Sequence, residues 1–492
     1  MLTLARFVAA ILLGTSIVVP DEASAGLPLL GCDALPGLTL NVWQGLGVTP
    51  GADDQWESDD NWSLGIAPVR LEDPYVCIPA GGLPVIRAGE EAQLLALDVA
   101  ANGVLEVDPG GELFLYGPQV TPSTIRGRVE VSEAALGGPG RVDVLGTLAL
   151  RSLDPSAPTT ITTRECAYFP GPYRLGEEPC IPGIPILGGK GQIVVGDEGV
   201  VDVSGGKVIL GDQYQLRVHG LLRVHDDGLL AADHGTRLDL LPRTWPNSGT
   251  GTLRFEDDGD YLEGNNFFGI ADLGTVVNKG RIVKTGGTGT SIVTAAYSQP
   301  APGAVTVSSG TLLLPSGSTT AATVGGGGAF GSGRCLLPGQ AGCQPQTFDL
   351  DQQNVRFQVP TTDGSGASVL IQELTTTSSA ADIGFPVEAH ATGLSSTSAD
   401  PAILSLRYDE RLLGGRGWTS VNVFRRADGT TSYVALQPCL ANGNPATGQV
   451  ACVDRRGLAE SSRNVVDAEG PGNAPDVIMV IRTTGTSRWV AR

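Results

Sequence analysis

Between about Gly191 and Leu240 the chain repeats one short phrase, a glycine followed by apolar, variable and apolar positions. It reads Gly191-Gln192-Ile193-Val194-Val195, then Gly199-Val200-Val201-Asp202-Val203, then Gly206-Lys207-Val208-Ile209-Leu210. Alternation with a period of two sends one set of side chains inward and the other to solvent, so each phrase predicts one very short strand. Corners recur after about seven or eight residues, too close for intervening helices or long hairpins but suited to one side of a coil with two or three sides. The pattern predicts an all-β chain built on a parallel β-solenoid, or β-helix. The same phrase opens at Gly103, Gly111, Gly127 and Gly146, and later at Gly251, Gly274, Gly280, Gly303 and Gly310. We therefore expect residues 83–325 to form the solenoid, with about ten coils.

Two stretches depart from the repeat. Residues 154–188 are proline-rich and carry Cys166, Cys180, Tyr168, Phe169 and Tyr173. They are expected to leave the array at one corner as a stapled insertion, and aromatics on a rigidified loop make these three residues the candidate binding contacts. Residues 326–346 are expected to be a Gly-rich linker. From residue 347 to 492 the alternating segments lengthen, as at Asn354 to Val359, Ala367 to Glu373, Ala402 to Tyr408 and Val477 to Arg482. Strands of this kind predict a C-terminal antiparallel β-sandwich.

Residues 26–82 hold Trp43, Trp56 and Trp62, an Asp60-Asn61-Trp62-Ser63 unit and a Gly65-Ile66-Ala67-Pro68 turn. Here, and through the Gly-led coils that follow, the chain resembles bacterial extracellular parallel β-helix and adhesin-like surface proteins. Its tail, with Asp400-Pro401, Tyr408-Asp409-Glu410-Arg411, Val421-Asn422-Val423-Phe424-Arg425 and Ser487-Arg488-Trp489, resembles a C-terminal segment of secreted bacterial surface proteins. The resemblance implies architecture and brings no catalytic residue with it. The tryptophans are expected to cap the open end of the solenoid core rather than form a sugar-binding platform. Asn61-Trp62-Ser63 also fits the N-glycosylation pattern, a match that carries no weight if the source is bacterial, as the resemblance implies.

Residues 1–25 read as a secretion signal: Arg6, an apolar run from Phe7 to Val19, and the small-residue site Ala23-Ser24-Ala25. The apolar run is too short to span a membrane. The eight cysteines fall into sequence-local pairs, expected as disulfides Cys32–Cys77, Cys166–Cys180, Cys335–Cys343 and Cys439–Cys452. With 32 basic against 52 acidic residues and a formal charge of −20, the chain should repel nucleic acid and anionic membranes. Extracellular glycans and surface proteins remain as partners, and the expected location is extracellular or at the cell surface.

Three histidines, His219, His225 and His234, stand close to Asp226, Asp227 and Asp233. Each group precedes a glycine, at Gly220, Gly228 and Gly235, so successive groups are expected at successive corners as solvated residues, too far apart to share a metal ion. Carboxylates also crowd at Asp53, Asp54, Glu57, Asp59 and Asp60, and at Glu256, Asp257, Asp258 and Asp260. Such clusters suit Ca²⁺, but the regular calcium-loop patterns are absent. No catalytic, cofactor or metal residue is assigned. The function read from this is a secreted or cell-surface protein acting in adhesion, glycan binding or envelope structure without catalysis. The alternative is a β-helix polysaccharide lyase or glycoside hydrolase, for which Asp226, Asp227, Arg223 and Arg281 are the available pieces.

Overall fold

The computed structural model describes Cys32 and, with short gaps, residues 39–162, 191–334, 353–458 and 477–492. The regular structure of the described chain is almost entirely strand, and its helical residues are short 3₁₀ turns such as Asp59–Asn61 and Trp418–Ser420. The strands fall into three long parallel ladders that the chain visits in rotation. The first ladder takes Leu40–Val42, Tyr75–Ile78, Leu97–Val99, Ser123–Ile125, Arg141–Val144, Gln192–Val195, Gln215–Val218, Arg237–Leu240, Thr275–Asn278 and Ala296–Ser298. The second runs from Val85–Ile86 through Val104–Val107, Arg128–Ser132 and Thr147–Arg151 to Ala304–Val307 and Ala321–Val324. The third runs from Glu91–Leu94 and Glu112–Leu115 to Thr311–Pro315 and Ala329–Arg334. Val200–Leu210 and Leu221–Ala232 each serve the second and third ladders in one bent strand, with the register broken between Ser204 and Gly206.

Alternation decides what lies inside. Along the second ladder Leu105, Val129, Leu148, Val201, Leu222, Leu253, Ile282, Val305 and Ala322 are in register, and all are buried. This column of inward aliphatic side chains is the core of the array, where truncating one leucine to alanine costs about 2–5 kcal/mol. Outward positions between them carry Glu130, Asp202, Arg223 and Arg254.

The glycines that open the phrases form a column of their own. The amides of Arg128, Thr147, Leu221, Thr252 and Arg281 donate to the carbonyls of Gly103, Gly127, Gly199, Gly220 and Gly251, one rung below, at 2.9–3.0 Å. A Cβ on Gly127, Gly146, Gly220 or Gly280 would lie 2.1–2.2 Å from a glycine carbonyl oxygen of that lower rung. Glycine is required here because backbone passes directly over backbone at the spacing of paired strands, about 4.8 Å.

Trp43, Trp56 and Trp62 are buried at the N-terminal end of the ladders, packed edge to face with centroids 5.1 and 4.8 Å apart. Two of the indole donors are satisfied internally, Trp56 Nε1 by the Pro68 carbonyl and Trp62 Nε1 by that of Trp56. No face of these rings is left for a sugar. Asn61 is buried as well and donates to the Gln55 carbonyl, so the folded chain offers it no access for glycosylation.

Three sequence expectations need adjustment. The stretch expected to be a linker contains strand Ala329–Arg334, which continues the third ladder. The C-terminal strands are joined directly to the array: Ala321–Val324 pairs antiparallel with Ala367–Glu373, and Ala329–Arg334 with Gln353–Gln358. From these two seams run antiparallel strands, through Ile383–Thr392 and Ser487–Ala491 on one side and Ala402–Tyr408, Val477–Thr483 and Ala451–Leu458 on the other. The expected insertion does not take in all of 154–188, because Thr159–Thr162 is a third-ladder strand; its four residues, Thr-Thr-Ile-Thr, carry no clear apolar alternation. Disulfides join Cys32 to Cys77 and Cys439 to Cys452, with Cα separations of 5.6 and 4.9 Å. The pairs Cys166–Cys180 and Cys335–Cys343, the secretion signal at 1–25, and Tyr168, Phe169 and Tyr173 lie outside the described residues.

The glycine column gives a direct test of this packing. A Cβ on Gly251 would sit 1.9 Å from the Val218 carbonyl oxygen, whereas one on Gly485 meets nothing within 4 Å. Gly251→Ala is expected to lower stability by about 2–3 kcal/mol in urea unfolding. Gly485→Ala should stay within about 0.5 kcal/mol of wild type.

Candidate functional site on an outer corner

The second and third ladders meet at a corner where the chain must turn sharply without leaving the rung. One rung does this with Gly205 and Gly206, at φ 64° and 110°. In the next rung the corner is made by Asp226 and Asp227, at φ 55° and 58°. Aspartate tolerates the left-handed region better than most residues but still at a cost, so acidic residues stand here against the conformational preference that glycine would satisfy. Backbone strain of this kind gathers at functional positions.

Ladder register brings side chains from three rungs to this corner. Asp202 and Arg223 face each other across Val200–Leu210 and Leu221–Ala232. The guanidinium grips the carboxylate with two bonds, Nε to Oδ1 and Nη2 to Oδ2, each 2.8 Å. This fork-to-fork geometry is the strongest form of the pair. His225 follows two residues along, with Nε2 2.8 Å from Asp202 Oδ1 and Nδ1 2.8 Å from Asp226 Oδ2. From the following rung, Asp257 Oδ2 accepts the Asp226 amide at 3.1 Å. Donor atoms of His225, Asp226 and Asp257 all lie within 4.8 Å of one another.

A buried cation underlies the same corner. The Lys284 side chain is fully buried and donates to the carbonyls of Asp257 and Gly286, with Asp258 Oδ1 at 3.7 Å. Asp258 in turn accepts the amides of Thr288 and Gly289. The corner is thus held from beneath, with Asp258 fixed by two backbone amides while Asp226 and Asp227 remain exposed.

The electrostatics of Asp202 follow from these contacts. Burial pushes its carboxyl up, but hydrogen bonds and charge from Arg223 and His225 outweigh burial and hold it below the ordinary value of 3.8. Glu106 shows the opposite case on the same ladder: burial first, then the negative charges of Glu130, Asp108 and Asp54, push it above its ordinary value of 4.5. Glu106 and Glu130 are in register, like charges directly across paired strands.

The grouping differs from the one expected from sequence. His225 joins its sequence neighbour Asp226 and, from the next rung, Asp257, whereas His219 is a separate buried residue after Gln215–Val218, and His234 lies outside the described residues. Rather than a solvated corner residue, His225 is a half-buried one with carboxylates on both ring nitrogens. Asp202 and Asp257 were missed as partners of this corner because rung lengths vary, so sequence spacing does not reveal which residues stack. Arg281 stands at the opposite end of the strands, in register with Thr252, and does not join the group. Near the N-terminus Asp54 pairs with Arg87 and Asp59 accepts the Ala67 amide, so those carboxylates serve local structure.

Compared with known proteins, the chain matches no family model, no curated protein and no solved structure.

Two substitutions test the electrostatics in opposite directions. A depressed carboxyl pKa means that the Asp202 contribution is present above 3.8 and is lost as pH falls through the lower folded value. Asp202→Asn should therefore lower Tm at pH 7, with the gap to wild type closing on acidification. The raised pKa of Glu106 means that its ionised form opposes folding at neutral pH. Glu106→Gln should have an equal or higher Tm at pH 7, and that advantage should vanish towards low pH. Thermal melts across pH for the three proteins check both signs.

Proposed function

We propose that this protein is an extracellular or cell-surface, non-catalytic β-solenoid that presents a long rigid face for adhesion, glycan binding or envelope structure. On this reading the three ladders close on one another as a three-sided coil, and the antiparallel strands after Ala321–Val324 and Ala329–Arg334 pack as a sandwich that caps it. The observation that carries the proposal is the unbroken rotation of strands among three in-register ladders, continued by hydrogen bonding into the C-terminal strands. Such an array is already ordered before a partner arrives, so binding to its face does not have to supply the cost of folding it. Two disulfides fit an oxidising compartment, and no helix among the described residues is long and apolar enough to cross a membrane. The stapled loop bearing Tyr168, Phe169 and Tyr173 is the local contact surface in this reading.

A second reading, polysaccharide cleavage, is favoured by one observation: a histidine, three carboxylates and an arginine gather on one outer corner. Those are groups of the type used for proton transfer at a glycosidic bond. One purified protein distinguishes the two. On a glycan array and in a polysaccharide-depolymerisation screen we expect binding without cleavage. That binding should be lost in the Tyr168→Ala/Tyr173→Ala variant, with circular dichroism unchanged. Depolymerisation abolished by Asp226→Asn would replace this function with the enzyme.

A further inference from the structure

We propose that His225, Asp226 and Asp257 form a binding site for one divalent transition-metal ion of the Zn²⁺ class. The donor set is one imidazole nitrogen and two carboxylates, with all three donor atoms within 4.8 Å of one another. Imidazole selects zinc-like ions over Ca²⁺ and Mg²⁺, which prefer shells made of oxygen alone. Ligands about 2.1 Å from a tetrahedral ion stand about 3.4 Å apart, a shell that modest rotation of the exposed Asp226 side chain can complete.

The second argument is the geometry behind the imidazole. Asp202, with its side chain only 8% exposed, lies 2.8 Å from His225 Nε2 and is itself clamped by Arg223. With the Nε2 proton donated to Asp202, the neutral ring presents the Nδ1 lone pair outward. This is the carboxylate–histidine–metal arrangement in which a second carboxylate fixes the tautomer and the ring orientation. Nδ1 lies 2.8 Å from Asp226 Oδ2, and the Asp257 ligand atom lies with both of them inside 4.8 Å, so the three converge on the position a cation would take. The surroundings favour one: Asp227, Glu256 and Asp258 add negative charge, against Arg223, Arg254 and the buried Lys284.

The test uses the full secreted chain without a histidine tag, disulfides intact, after dialysis against a chelator. Zn²⁺ is titrated calorimetrically, and bound metal is counted by mass spectrometry with and without excess Ca²⁺. One Zn²⁺ per chain, retained in Ca²⁺, is the expected result. Asp226→Asn keeps a residue that tolerates the left-handed corner and should weaken binding at least tenfold, as should Asp257→Asn. Asp202→Asn, which removes no ligand atom but alters the group held against His225 Nε2, should weaken it about 10–100-fold through the histidine. His390→Gln, at a separate histidine beside Glu388, should change nothing. Thermal melts confirm that each variant is folded. Absence of stoichiometric uptake would overturn the proposal and leave His225 as a structural bridge between two carboxylates. Uptake unchanged by both Asp226→Asn and Asp257→Asn, or abolished by His390→Gln, would overturn it equally.

Discussion

Parallel strands stacked rung on rung leave about 4.8 Å between successive backbones, and most of this molecule follows from that spacing. At the corner before the second ladder the backbone passes over the carbonyl of the rung below, and any side chain there would collide with it. Inside the array the same spacing puts one aliphatic residue on top of another, so the core is a set of columns rather than a centre. Each inward residue is therefore buried chiefly by its neighbours one rung away. That is how the described strands can share one extended apolar cluster without exceeding the size at which a single compact core stops growing.

Stacks of this kind have ends, and exposed strand edges invite pairing with other chains. At the N-terminal end the second ladder is closed by the segment from Asp54 to Trp56, which exchanges backbone hydrogen bonds with Val85, while three buried tryptophans fill the space beneath. At the C-terminal end Ala321–Val324 and Ala329–Arg334 receive antiparallel strands instead of a further rung. The reversal of direction stops the parallel stacking and continues two edges as antiparallel pairings. The C-terminal strands are thus part of the same hydrogen-bonded system, and Gly325 to Gly328 is a turn within it rather than a tether.

Much of this was legible in the sequence because corners of the coil, above all the one before the second ladder, place a glycine ahead of many strands. Each phrase from Gly103, Gly111, Gly127, Gly146, Gly251, Gly274, Gly280, Gly303 and Gly310 does open a strand. Strands without that glycine, such as Ser123–Ile125 and Thr159–Thr162, are only three or four residues long and passed unnoticed. The outer corner was harder still. Asp202 and Arg223 are 21 residues apart, yet Asp226 and Asp257 are separated by 31 while also coming from neighbouring rungs. Loops of unequal length between fixed strands erase any constant period, so only the register shows that these residues meet. The left-handed Asp226-Asp227 pair carried the one available signal: acidic residues at a corner that the preceding rung makes with glycine.

In-register stacking over many rungs is most directly tested by a distance between strands far apart in sequence. Arg141, Gln192, Gln215, Arg237 and Thr275 occupy one position on five successive rungs of the first ladder. Four steps of about 4.8 Å place the Cα atoms of Arg141 and Thr275 about 19 Å apart. Nitroxide labels on cysteines introduced at these two positions should give, by pulsed electron paramagnetic resonance, one narrow distance distribution centred near that value. A broad distribution, or one centred beyond about 35 Å, would contradict a register set by this spacing.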